Sequence, residues 1–161
     1  MGVSEVSVPT RPSLVFMLPP PLYFGLAFGA GMLLQHVFPL GLPDFFAMWS
    51  LGMLVLAAGI ICGPGLATFF LVRGTTLNPF ASPSLLFDRG IYRLSRNPMY
   101  LSVILIYLGG CLLAGSLWPV LLLAIPIGIL QHVVIPYEEA SMRRTFGVSY
   151  DVYCARVRRW L

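Results

Sequence analysis

The chain has 161 residues, is 58% hydrophobic and only 10% charged, and has a mean hydropathy of +0.86. A soluble domain carries about a quarter charged residues, so the composition excludes an ordinary soluble domain and reads as an integral membrane protein. The net charge is +4 and all ten basic residues are arginine, but they flank apolar segments and form no patch on a polar domain, which excludes nucleic acid as a partner.

The opening segment, MGVSEVSVPTRPS, lacks the basic start and small-residue cleavage site of a secretory signal, and Val6 stands where a myristoylation pattern wants Ser or Thr. Three charge-free windows follow: Pro12 to Pro43, Phe45 to Val72, and Asn97 to Tyr137. Each of the first two holds one membrane helix of about 20 residues; the third is about twice as long and holds two. Within it, AGSLWP (Ala114 to Pro119) supplies a glycine, a serine and a helix-start proline for the hairpin. The expected fold is all-α integral membrane, with four transmembrane helices at about 20–38, 46–71, 98–115 and 118–136 and C-terminal cytoplasmic or interfacial helices over 137–161. The whole of 1–161 reads as one domain, without an internal repeat. Pro64 and Pro126 are expected to kink their helices, which bilayers tolerate.

Arg11, Arg73, Arg89, Arg93, Arg96 and the five arginines after Tyr137 share one side of the four-span arrangement, and Asp44 alone lies on the other. By the positive-inside rule both termini and the 73–97 loop are cytoplasmic and the protein is multi-pass. Cys62, Cys111 and Cys154 are too widely spaced for a disulfide framework or a metal motif, and no metal site is expected. Beyond Tyr137 the stretch EEASMRRTFG reads as a short helix ending at Gly147, and Ser149 is placed to cap a last helix, YDVYCARVRRW. Its Tyr150, Tyr153, Val157 and Trp160 share a face, as in an amphipathic helix lying on a membrane surface.

Three polar clusters are candidates for chemistry. The loop ending in RLSRNPMY (Arg93 to Tyr100) is long for a helix connection, and Asn97 and Pro98 suit an N-cap and a first helical residue. Read blandly, it is a capped helix start with arginine and tyrosine anchors. Read functionally, the helix start beside Arg96 is a site for a carboxylate or phosphate. Pro136 is expected to end or tilt the fourth helix, which puts Glu138 and Glu139 in the first turn of the next, on the same membrane face. Gln131 and His132 lie about one turn deeper, where polar residues are functional candidates. Gln35 and His36 read as an interfacial pair near the opposite face. There is no recognisable Ser-His-Asp or Cys-His arrangement and no glycine-rich phosphate loop. An arginine at a helix start, aromatic rings and facing carboxylates suit a zwitterionic ligand with a positive centre.

The segments GTTLNPF, LLFDRGIYRLSRNPMYLS and HVVIPYEEASMRRTFGVSYDVYCARVRRW resemble the membrane methyltransferases typified by isoprenylcysteine carboxyl methyltransferase and the phospholipid methyltransferases. The resemblance runs from about Arg73 onward, and the ordered set Gly-x-Tyr, Arg-x-Pro-x-Tyr, Glu-Glu, Phe-Gly-x-x-Tyr is specific where each part alone is weak. It implies a helical membrane core that binds S-adenosylmethionine on the cytoplasmic side and takes a lipidic or small apolar acceptor from the bilayer. Carried over by position, the cofactor contacts are Ser84, Leu85, Leu86 and Phe87, then Tyr92, then Asn97, Pro98, Met99 and Tyr100, then Glu138 with Glu139 as the adjacent alternative; Arg96 joins them from the helix-start reading. Asn97 replaces the family's histidine, Ser102 a glycine, and Val134 the arginine that in prenylcysteine enzymes holds the substrate carboxylate, which argues against that substrate. For an amine or thiol acceptor, His132 is the one intramembrane candidate for the proton-removing base. Two other readings stand beside this one: a nicotinamide-dependent reductase of the related sterol-reductase type, and a non-catalytic membrane scaffold.

Overall fold

The structure, a computed structural model, describes residues 19–42, 46–72, 86 and 88–161. Its regular elements among these residues are all helical. They are α1 (Pro20–Val37), α2 (Phe46–Val72), a 3₁₀ turn (Gly90–Arg93), α3 (Pro98–Ala114), α4 (Leu117–Leu122), α5 (Ala124–Ile129), a π turn (Leu130–Val134), α6 (Ile135–Phe146) and α7 (Val148–Arg156). Helices α1 and α3 each begin on a proline, whose fixed φ and missing N–H suit a first turn. Helix α3 ends at Gly115, which takes the left-handed conformation (φ +62°) that an L side chain resists.

From Leu117 the chain runs as one helical rod to Phe146. Leu123 N–H reaches Pro119 O at 3.0 Å and Ile127 N–H reaches Leu123 O at 3.2 Å, which carries the helix across the junction between α4 and α5. The rod is long and apolar enough to cross a membrane, while Ala47–Gly63 and Pro98–Ala114 are shorter apolar helices. Pro136 does not end the fourth helix. It sits in the first turn of α6, and the turn before it widens to the π form, in which the helix tolerates a position without an N–H donor.

The most extensive packing is between α2 and α3. Glycine lets the two backbones approach: a Cβ at Gly109 would lie 2.6 Å from Leu56 N, and one at Gly59 would lie 2.8 Å from Ile106 N and 2.9 Å from Ser102 O. Small residues at such contacts are how helices pack closely where no hydrophobic effect drives them together. Ser102 is buried against Gly63 of α2, so here the glycine is on the partner helix. On its other side α3 meets α1 and α4. Tyr107 packs edge-on against Phe24 and Phe28 (ring centroids 5.8 and 5.5 Å) and donates to Pro119 O at 2.7 Å.

Two ends close differently. At one, Gln35 Oε1 accepts Leu40 N–H (2.9 Å) and Ser116 Oγ–H (3.0 Å), and Trp118 Nε1–H donates to Phe38 O (2.7 Å), tying α1 to the turn after α3. At the other, α7 folds back on α6. Gly147 ends α6 as the sequence predicts, but Ser149 lies inside the first turn of α7 rather than capping it. The face of α7 expected to rest on a membrane is buried in protein instead. Tyr150, Tyr153 and Val157 pack with Leu86, Met142, Phe146 and Cys154, because this stripe has α6 to cover it.

Candidate functional site

The lead-in to α3 is held by the last residues of the chain. Arg96 N–H donates to Arg158 O (3.0 Å). Ser95 Oγ–H and Asn97 Nδ2–H both donate to Arg159 O (3.2 and 2.9 Å), and Ser95 Oγ accepts Asn97 N–H (3.1 Å). Asn97 therefore occupies the N-cap position without capping through its side chain, contrary to expectation, because the tail carbonyl takes its amide. Among the described residues no side chain caps the start of α3, and the positive end of its dipole lies beside Arg96.

One turn into α3, Tyr100 Oη–H donates to Glu138 Oε1 at 2.6 Å across 38 residues of sequence. The neighbouring Glu139, only 6% exposed, is committed elsewhere. Its carboxylate accepts Arg159 Nε–H (3.1 Å) and Nη2–H (2.8 Å) as a fork and pairs with Arg96 Nη2 (3.1 Å). Two guanidinium groups on one carboxylate leave a positive charge in surplus. Arg96 Nε is buried and has no protein acceptor among the described residues.

The electrostatics separate the two acids. Glu138 lies beyond the expected fourth span. Burial pushes its carboxyl up to about 7; the Tyr100 hydrogen bond pulls the other way and the Glu139 charge adds to the rise. Burial, then Tyr153 and Glu138, hold the Tyr92 phenol above its usual range, which sets Tyr92 within the field of Glu138. Tyr153 Oη–H donates to Tyr92 O (2.8 Å) and so fixes the 3₁₀ turn against α7.

The structure thus brings Tyr92, Arg96, Asn97, Tyr100, Glu138 and Glu139 of the predicted residues into one group at the cytoplasmic end of the expected topology. Pro98 is buried at the start of α3, and Met99 O accepts Ser102 Oγ–H (2.7 Å). Leu86 packs under α7, while Ser84, Leu85 and Phe87 lie outside the described residues. His132 is exposed on the π turn, and no hydrogen bond among the described residues joins it to the Tyr100–Glu138 pair. Gln131 turns the other way and accepts Trp160 Nε1–H (2.9 Å). Sequence reasoning missed Ser95, Arg159 and Trp160. The one available signal was chemical: two adjacent carboxylates beside an apolar core need counter-charges.

The phospholipid methyltransferase family model matches residues 47–149, more than half of the chain and a span that contains the Tyr100–Glu138 pair. No curated protein and no solved structure matches it.

Proposed function

This chain belongs to the phospholipid methyltransferase family, a family of membrane-associated methyltransferases, and on that premise we propose that it is a multi-pass membrane enzyme that transfers a methyl group from S-adenosylmethionine to a lipidic or small apolar acceptor. The observation that carries this reading is the Tyr100–Glu138 pair beside a helix start whose Arg96 Nε–H is buried and has no acceptor among the described residues. The spans are about 20–38, 46–71, 98–115 and 118–136, with both termini and the site on the cytoplasmic side; the charged turns from Glu138 onward lie outside the bilayer. The apolar rod Leu117–Phe146 and the confinement of arginine to one side support that topology.

The donor set fits the cofactor. A carboxylate finds Arg96 Nε–H and the amide end of α3. An ammonium or ribose hydroxyl finds the Glu138 carboxylate, which is in no ion pair among the described residues. The rings of Tyr92 and Tyr100 suit a sulfonium. Ser84, Leu85, Leu86, Phe87, Asn97, Pro98 and Met99 complete the wall in this reading, and Glu139 serves as the ion-pair hub behind it. When bound, the cofactor supplies an activated methyl group on a positively charged sulfur. The chain's own task is to hold donor and acceptor in line and exclude water, which is where methyl transfer gains its rate. Removal of a proton from an amine or thiol acceptor falls to His132, exposed toward an acceptor arriving from the bilayer.

The test is direct. The full chain in lipid nanodiscs, incubated with methyl-labelled S-adenosylmethionine and a total lipid extract, is expected to yield a labelled lipid. S-adenosylhomocysteine should bind the chain, and NADPH should not. Binding of NADPH alone, or no binding of either, would sink the reading.

A further inference from the structure

Both walls of the Tyr100–Glu138 pair rest on a single residue of the tail. The Arg159 guanidinium forks onto Glu139, with Nε to Oε1 at 3.1 Å and Nη2 to Oε2 at 2.8 Å. A planar five-donor group on both oxygens fixes the carboxylate in angle as well as distance. Glu139 is in the first turns of α6, so the fork sets the rotation of α6 about its axis and with it the direction of Glu138, one residue away. The same residue's carbonyl accepts Ser95 Oγ–H and Asn97 Nδ2–H, which sets where α3 begins. Tyr100 is one turn beyond. On either side, Arg158 O accepts Arg96 N–H, and Trp160 Nε1–H is anchored on Gln131 Oε1 of the π turn. The segment 157–161 is not helical, and the hydrogen bonds of Arg158, Arg159 and Trp160 named here reach partners 20 to 64 residues away in sequence.

We propose that Arg159 is a positioning residue of the cofactor site, holding α6 through its side chain and the start of α3 through its carbonyl so that Glu138 and Tyr100 meet. The inference rests on the cofactor reading above. It gives the tail segment 157–161 a role in ligand affinity rather than in packing alone. Arg159 touches Glu139, not the ligand, so its effect on binding runs through Glu139. A double-mutant cycle separates that route from general loosening of the fold.

The experiment is titration of the full chain in lipid nanodiscs with S-adenosylhomocysteine, with thermal unfolding followed in parallel. Arg159→Gln should raise Kd about tenfold, which converts to about 1.4 kcal/mol. Arg159→Lys keeps the charge and loses the fork, and should recover part of the affinity, to within about threefold of wild type. In a Glu139→Gln background Arg159→Gln should have little further effect. Wild-type affinity in Arg159→Gln or in Arg159→Lys overturns the proposal, and so does an Arg159→Gln effect undiminished by Glu139→Gln. If Arg159→Gln does not fold, the Lys variant decides by the same criterion. A wild-type chain that fails to bind S-adenosylhomocysteine removes the cofactor reading and this inference with it, an outcome the first titration identifies.

Discussion

Glu138 offers a perturbation whose size follows from the structure. Its carboxyl is pushed from 4.5 to about 7, chiefly by burial. The native state therefore keeps a proton through a pH window in which the unfolded chain has lost it. The sign follows from linkage: the contribution to stability is fully present below pH 4.5, falls as pH rises through the window, and is gone above about 7. At 1.36 kcal/mol per unit, the full change is about 3 kcal/mol. Glu138→Gln keeps an acceptor for Tyr100 and removes the titration. Unfolding in a fixed detergent across pH 4.5 to 8 should show the wild type losing about 3 kcal/mol relative to the variant. A ligand ammonium beside Glu138 favours the ionised form, so affinity for S-adenosylhomocysteine, which keeps its amino-acid ammonium, should strengthen as pH rises toward 8 in the wild type and stay flat in Glu138→Gln. Parallel stability profiles for the two proteins would show that Glu138 is not held protonated by burial. Parallel affinity profiles would show that it does not face the ligand.

Two further outcomes follow from other parts of the molecule. His132→Ala should lower turnover on an amine or thiol acceptor by about a hundredfold or more, the usual scale for a lost base, while leaving S-adenosylhomocysteine affinity unchanged; normal turnover removes the role. Gly109→Val should destabilise the chain by about 1–3 kcal/mol in detergent unfolding, because the added Cβ meets the Leu56 backbone, whereas Gly25→Ala, with nothing within 4 Å, should not.

How much of this was legible in the sequence depends on which chemistry carried each feature. Helices α1, α2 and α3 lie within a residue of the segments 20–38, 46–71 and 98–115 placed inside the charge-free windows, since charge placement is a one-dimensional signal. The Tyr100–Glu138 meeting was legible only as two polar clusters on the same side of a membrane. What sequence reasoning could not reach runs through backbone carbonyls. Arg158 O and Arg159 O hold the start of α3, and a carbonyl is the same in every residue. That contact also explains why Asn97, a residue type suited to capping, does not cap. The buried stripe on α7 misled in a related way, because periodicity reports an apolar face and not what covers it.

The acidic pair shows the limit most clearly. Glu138 and Glu139 are adjacent and chemically identical, and the sequence offered either as the ligand-facing carboxylate. On a helix, neighbours point about 100° apart. Glu139 therefore turns to Arg96 and Arg159, and Glu138 to Tyr100. The first is neutralised by two guanidinium groups and is spent. The second is in no ion pair among the described residues, accepts the Tyr100 hydroxyl, and is driven by burial to titrate near neutrality. A carboxylate buried without a counter-ion is costly unless a cation comes to it. The asymmetry is therefore one of partners: Glu139 is fixed between Arg96 and Arg159, and Glu138 is the acid of the pair without a guanidinium partner among the described residues.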